Sequence, residues 1–124
     1  MTKVFKPGDM NNKDFAMQME KRTKSFAIKI IRLSATLPCT IEGKIIRNQL
    51  TKAGTSIGAN YREANRARSK ADFKNKIKIC ESESNESSYW LEILQDMKWS
   101  ASDSELAQSS ELLAIFSSIG KSLT

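Results

Sequence analysis

The chain has 124 residues and a mass of 13.9 kDa, with 40% apolar and 27% charged side chains, which suits a single buried core and is unlike a disordered chain. Twenty basic against fourteen acidic side chains give a net charge of +6 and a pI near 9.4, a balance that favours anionic partners. Histidine is absent, which removes the commonest general base, the usual metal ligand and every Ser-His or Cys-His nucleophile pair; the expectation is a non-enzymatic protein without metal or cofactor.

No run approaches the roughly 18 consecutive apolar residues of a membrane span. Lys3 and Lys6 precede no apolar stretch, which argues against a secretory leader. Cys39 and Cys80 are too few for a disulfide scaffold and read as free thiols of a cytoplasmic protein.

Residues 1–12, with Pro7, Gly8 and two asparagines, lack periodicity and read as a flexible N-terminal tail; residues 13–124 form the domain. Phe15, Met19, Thr23, Phe26, Ile30, Leu33 and Leu37 step by three and four, which lays one stripe along a first helix that Pro38 stops. Ile46, Leu50, Ala53, Ile57, Asn60, Ala64 and Ala67 give a second helix ending near Ala67. Ser69 and Asp72 have the spacing of a capping box, so a third helix starts there, with a stripe from Phe73 through Ile77, Cys80, Ser84, Ser87, Leu91 and Leu94 to Lys98. Ser102 to Glu105 is a second capping box, and Leu106, Leu112, Leu113, Phe116 and Ile119 carry a fourth helix to Gly120. No window alternates with period two. The fold class is all-α, an antiparallel up-down-up-down four-helix bundle, with a dimer of helical hairpins as the alternative.

Gly54 to Gly58 spells G-x-S-x-G and Ser118 to Lys121 spells S-x-x-K. The first lacks its strand-turn-helix setting and a histidine, and the second lacks both companion motifs, so neither marks a nucleophile. Gly54 and Gly58, one turn apart, instead predict close approach by a neighbouring element, with Tyr61, Tyr89 or Trp90 as ring partners. Asn60 falls on the apolar stripe and needs hydrogen bonds if buried. Ser56, Asn60, Glu63 and Glu83 are the expected polar clamp fixing helix register, with Glu86 a further partner; a catalytic carboxylate pair is the sharper alternative.

Charge is segregated. Residues 1–36 carry eight basic and three acidic side chains, residues 37–80 ten and three, and residues 81–124 two and eight. In an up-down bundle, the turn between the second and third helices shares one pole with the start of the first. That pole gathers Arg62, Arg66, Arg68, Lys70, Lys74 and Lys78, with Lys13, Lys21 and Arg22 nearby. Such a surface suits phosphates of RNA or DNA, with backbone contact and no base readout. It equally suits an acidic face of another copy or of a protein partner. Aromatic residues are only 7%, so a stacking platform is not expected.

Gln49-Leu50, Gly54-Thr-Ser-Ile-Gly-Ala-Asn-Tyr-Arg-Glu-Ala64, Arg66, Ser69-Lys-Ala-Asp-Phe73, Lys76, Ile79, Glu83, Glu86 and Tyr89-Trp-Leu-Glu-Ile-Leu94 together resemble the four-helix bundle family of the 23S rRNA intervening sequence protein, also labelled S23 ribosomal protein. The resemblance implies a small bacterial helical subunit, commonly in a homopentameric ring, first described from genes inside insertions of 23S rRNA. Its distant relatives include accessory proteins of diversity-generating retroelements, which contact reverse transcriptase and nucleic acid. No enzymatic activity is implied. Ser84 and Ser87 depart from the Ala and Thr of that pattern, and the acidic last third departs from a uniformly basic surface.

Overall fold

A computed structural model describes residues 12–123. The tail expected over residues 1–12 therefore lies outside the described residues, save Asn12, which opens the first helix. Four helices follow: α1 (Asn12–Ser34), α2 (Ile41–Ala64), α3 (Lys70–Asp96) and α4 (Asp103–Ser122). Among the described residues there is no strand, and no helix is long and apolar enough to cross a membrane. Consecutive helices pack side by side, α1 on α2, α2 on α3 and α3 on α4, whereas α1 and α4 meet only sparsely. The result is the expected four-helix bundle.

The three-and-four stripes are the core. Phe26, Ile30, Leu50, Ile57, Ile77, Leu91, Leu94, Leu112, Phe116 and Ile119 are fully buried. Each such side chain contributes on the order of 1.5–3 kcal/mol on leaving water. Most polar residues on the stripes are satisfied locally. Thr23 donates its hydroxyl to the Met19 carbonyl at 2.8 Å, and Ser84 donates to the Cys80 carbonyl at 2.8 Å. Ser109 donates to the Leu106 carbonyl at 3.0 Å, which leaves Ser88 as donor in the 2.6 Å hydroxyl pair joining α3 to α4. The Ser87 hydroxyl is buried with no protein partner.

The glycines of α2 do admit a close neighbour, but it is α1 and not an aromatic ring. A β-carbon on Gly54 would fall 2.8 Å from Ile30 Cγ2, and one on Gly58 would fall 3.0 Å from Thr23 Oγ1. Tyr61 instead packs on Phe116, with ring centroids 5.6 Å apart, and Tyr89 and Trp90 contact each other edge to face.

Helix ends differ from expectation in several places. α1 stops at Ser34, before Pro38, because Thr36 and Leu37 turn back through N–H bonds to Leu33 and Ser34, which buries Leu37 under the turn. α2 starts at Ile41, capped by Thr40 Oγ1, which accepts from the Gly43 N–H at 3.0 Å, and it ends at Ala64 and not Ala67. Lys98 is not a stripe residue of α3. It stands one residue past the C-cap with φ 58°, while the Trp99 and Lys98 N–H groups bond to the Leu94 and Gln95 carbonyls, the Schellman pattern. Ser69 caps α3 as expected, accepting from the Asp72 N–H at 3.0 Å. Ser102 makes no such cap: it is buried and donates its hydroxyl to the Leu91 carbonyl at 3.3 Å, tying the turn to α3. α4 continues past Gly120 to Ser122.

Candidate nucleic-acid interface

Antiparallel packing brings the start of α1, the end of α2, the start of α3 and the end of α4 to one pole. A cavity of about 120 Å³ there is lined by Asn12, Phe15, Ala16, Tyr61, Asn65, Phe73 and Ile119, contributed by all four helix ends. The cations expected at this pole stand on the last turn of α2, on the α2–α3 turn and along the first turns of α3.

On the α2 flank, Arg62 is exposed and reaches Glu20 of α1 at 3.8 Å. Asn65, just past the helix, donates its amide to the same carboxylate at 2.8 Å. Glu20 thus holds α1 against the end of α2 and offsets Arg62. Arg66 and Arg68 follow on the turn, both exposed. On the α3 flank, Lys70, Lys74 and Lys78 recur every fourth residue, about one turn apart, with Lys74 half-buried and the other two exposed. Among the described residues, Arg66, Arg68, Lys70, Lys74 and Lys78 form no ion pair within the chain. Lysines at the start of α3 oppose the helix macrodipole, whereas Arg62 in the last turn of α2 complements it. Arg22 is not available to this pole, since its guanidinium pairs with Glu111 of α4.

The polar clamp is not formed as expected. Asn60 is half-buried and donates its amide to the Ser56 carbonyl at 2.9 Å, on its own helix. Ser56 donates to the Lys52 carbonyl at 2.6 Å, Glu63 is exposed, and Glu86 accepts from the Trp90 indole at 3.2 Å. Side chains at the rim of a helix pair find the carbonyl four residues back more readily than a partner across the groove. Glu83 is half-buried beside Glu86, and burial first, then repulsion from Glu86, raises its carboxyl above the usual range, with Lys52 opposing.

Burial also acts on two other groups. The Cys80 thiol, buried between α3 and α2 with its sulfur 3.5 Å from the Ile57 carbonyl, is pushed up to about 12 by burial. Tyr61, which lines the cavity at this pole, is likewise pushed up to about 12 by burial, with the Asn65 side chain pulling the other way. Neither ionises near neutrality.

Sequence reasoning assembled the cations but missed the cavity. The visible signal was an aromatic residue near three helix ends, Phe15, Tyr61 and Phe73, which reads as ordinary core until the four ends are brought together.

Residues 16–123 match the family described as 23S rRNA-intervening sequence protein. The chain is also similar to a protein of unknown function from the S23 ribosomal protein family of Bacteroides thetaiotaomicron VPI-5482, known from a crystal structure at 1.70 Å resolution. The two share 36% identity over 82% of this chain and 97% of the other, with a TM-score of 0.76. No curated protein matches the chain. Matched along nearly all of its described length and sharing its fold, the chain belongs to the 23S rRNA-intervening sequence protein family.

Proposed function

We propose that the protein is a non-enzymatic, homo-oligomeric bundle of the cytoplasm that binds RNA or DNA through the α2–α3 pole, with Arg66, Arg68, Lys70, Lys74 and Lys78 on phosphates and Arg62 beside them. The observation that supports this is the concentration of cations without intrachain carboxylate partners along one turn and the helix it opens. Binding of this kind releases counterions, so affinity falls steeply between about 50 and 200 mM salt. Replacing Arg66, Arg68 and Lys70 by glutamine is expected to weaken binding across all sequences. The log–log salt slope should fall by about two, from roughly 0.7 per phosphate contact on a single strand. Light scattering should show the assembly intact. Loss of the assembly with the same substitutions would place these cations at a subunit contact instead.

A second reading, a scaffold or adaptor that self-associates or docks a protein, is favoured by Ile41, Ile45, Tyr89 and Met97. These lie on α2, on α3 and just past α3, are 76%, 55%, 57% and 51% exposed, and would cost free energy left in water. A homopentameric ring is the assembly proposed. Light scattering with and without a mixed RNA and DNA pool separates the two readings: an unchanged mass with nucleic acid present favours the scaffold.

A further inference from the structure

The cavity at the basic pole has chemistry that phosphate contacts do not use. Its lining is Phe15, Ala16, Phe73 and Ile119 with the polar side chains of Asn12, Tyr61 and Asn65, the last already donating its amide to Glu20. An engineered apolar cavity of about 150 Å³ holds a benzene molecule, so a partly open space near 120 Å³ admits part of one planar ring, the remainder staying at the mouth. Six of its seven lining residues stand within two positions of a cation in the sequence, among them Tyr61 beside Arg62, Asn65 beside Arg66 and Phe73 beside Lys74. The cavity therefore shares its pole with Arg66 and Arg68 of the α2–α3 turn and with Lys70 and Lys74 at the start of α3.

We propose that this cavity receives one unpaired nucleobase of a single-stranded nucleic acid whose phosphates lie on the surrounding cations. The inference rests on the phosphate-binding reading above and adds to it a preference for unpaired strands. A base has a π-face that an aromatic wall accepts whatever its identity, and edge groups that a carboxamide can meet as donor or acceptor. A duplex keeps its bases stacked inside and offers the pocket nothing, so phosphate contacts alone would remain. A simple anion is excluded from the interior by its apolar walls, since an ion desolvated there finds no opposite charge.

The test uses the full chain and fluorescein-labelled 12-nucleotide probes at 50 mM salt: oligothymidine, oligouridine, a DNA duplex, and an abasic strand with the same number of phosphates. Oligothymidine and oligouridine should bind about tenfold more tightly than the abasic strand, the scale of one or two base–aromatic contacts. Ala16→Phe, which fills the cavity without altering charge, should bring both down to the abasic level. Should that variant fail to fold, photo-crosslinking of the wild type to a 5-iodouridine probe gives an independent readout, expected at Tyr61 or Phe73. Equal affinity for the base-bearing and abasic strands overturns the pocket and leaves the phosphate reading standing. Crosslinks confined to residues elsewhere overturn it as well. Failure of every probe to bind overturns both.

Discussion

Ile30 occupies the volume that a side chain at position 54 would need: three of its carbons lie within 3.0 Å of where a β-carbon on Gly54 would sit. An exposed helical glycine is worth about 1 kcal/mol less than alanine, so its presence mid-helix needs a reason, and the approach of α1 supplies one. Gly54→Ala is expected to destabilise the bundle by about 1–3 kcal/mol in spite of its better helix propensity. Ile30→Ala in the same chain should cost less than the two changes summed. Thermal unfolding of the two single variants and the double variant checks this; a rise in Tm for Gly54→Ala would overturn it.

Lys98 holds a left-handed backbone, φ 58°, at the position after the α3 C-cap where glycine is usual. Its side chain is exposed, so little packing is lost on removing it. Lys98→Gly should therefore stabilise the protein by about 0.5–1 kcal/mol, the strain relieved outweighing the extra freedom of the unfolded chain. Lys98→Ala should do much less. Denaturant titration of the pair distinguishes backbone strain from loss of the charge.

Ser87 and Ser84 make a matched comparison on one helix face. Both are buried, yet only the Ser84 hydroxyl has an acceptor, the Cys80 carbonyl. Ser87→Ala is expected to raise stability by about 1 kcal/mol by removing a desolvated hydroxyl. Ser84→Ala should be close to neutral. A reversed order would show that position 87 is hydrogen-bonded in solution.

Alkali should loosen the core through Cys80 before it does so through Tyr61. A thiol with a raised folded-state pKa contributes stability that is fully present below its unfolded value of 9.0 and is lost as pH rises toward about 12. Tyr61 follows the same sign from 10.0 upward. Wild type should lose about 1 kcal/mol more than Cys80→Ala between pH 8 and pH 10. Parallel curves for the two would acquit the thiol.

The helices themselves were legible because a three-and-four stripe has one geometric meaning, and most residues of those stripes lie in the core. Their ends were less so. Ile41 and Ile45 are exposed, so the stripe of α2 began too late to reveal the first turn, and Thr40 lacks the Glu or Gln that would have marked it as a cap. Ser102 had the right spacing for a cap but is drawn into the core by Leu91, a tertiary contact that no local pattern encodes. Asn60 was placed in the interior by its register, while its real position at the rim let it bond to Ser56. The basic turn could be read from composition because its cations are contiguous in sequence. The cavity could not, since its walls come from positions as far apart as Asn12 and Ile119.

The thin seam between α1 and α4 gives the molecule an order in which it comes apart. Each outer helix leans chiefly on one inner neighbour, so amide exchange should be fastest in α1 and α4 and slowest in the α2–α3 hairpin that they flank. Arg66, Arg68 and Lys70 are carried on that hairpin's own tip. Partial opening would sever the four-walled cavity while leaving the charged tip intact, so the protein would forget how to tell an unpaired strand from a duplex before it lost hold of either.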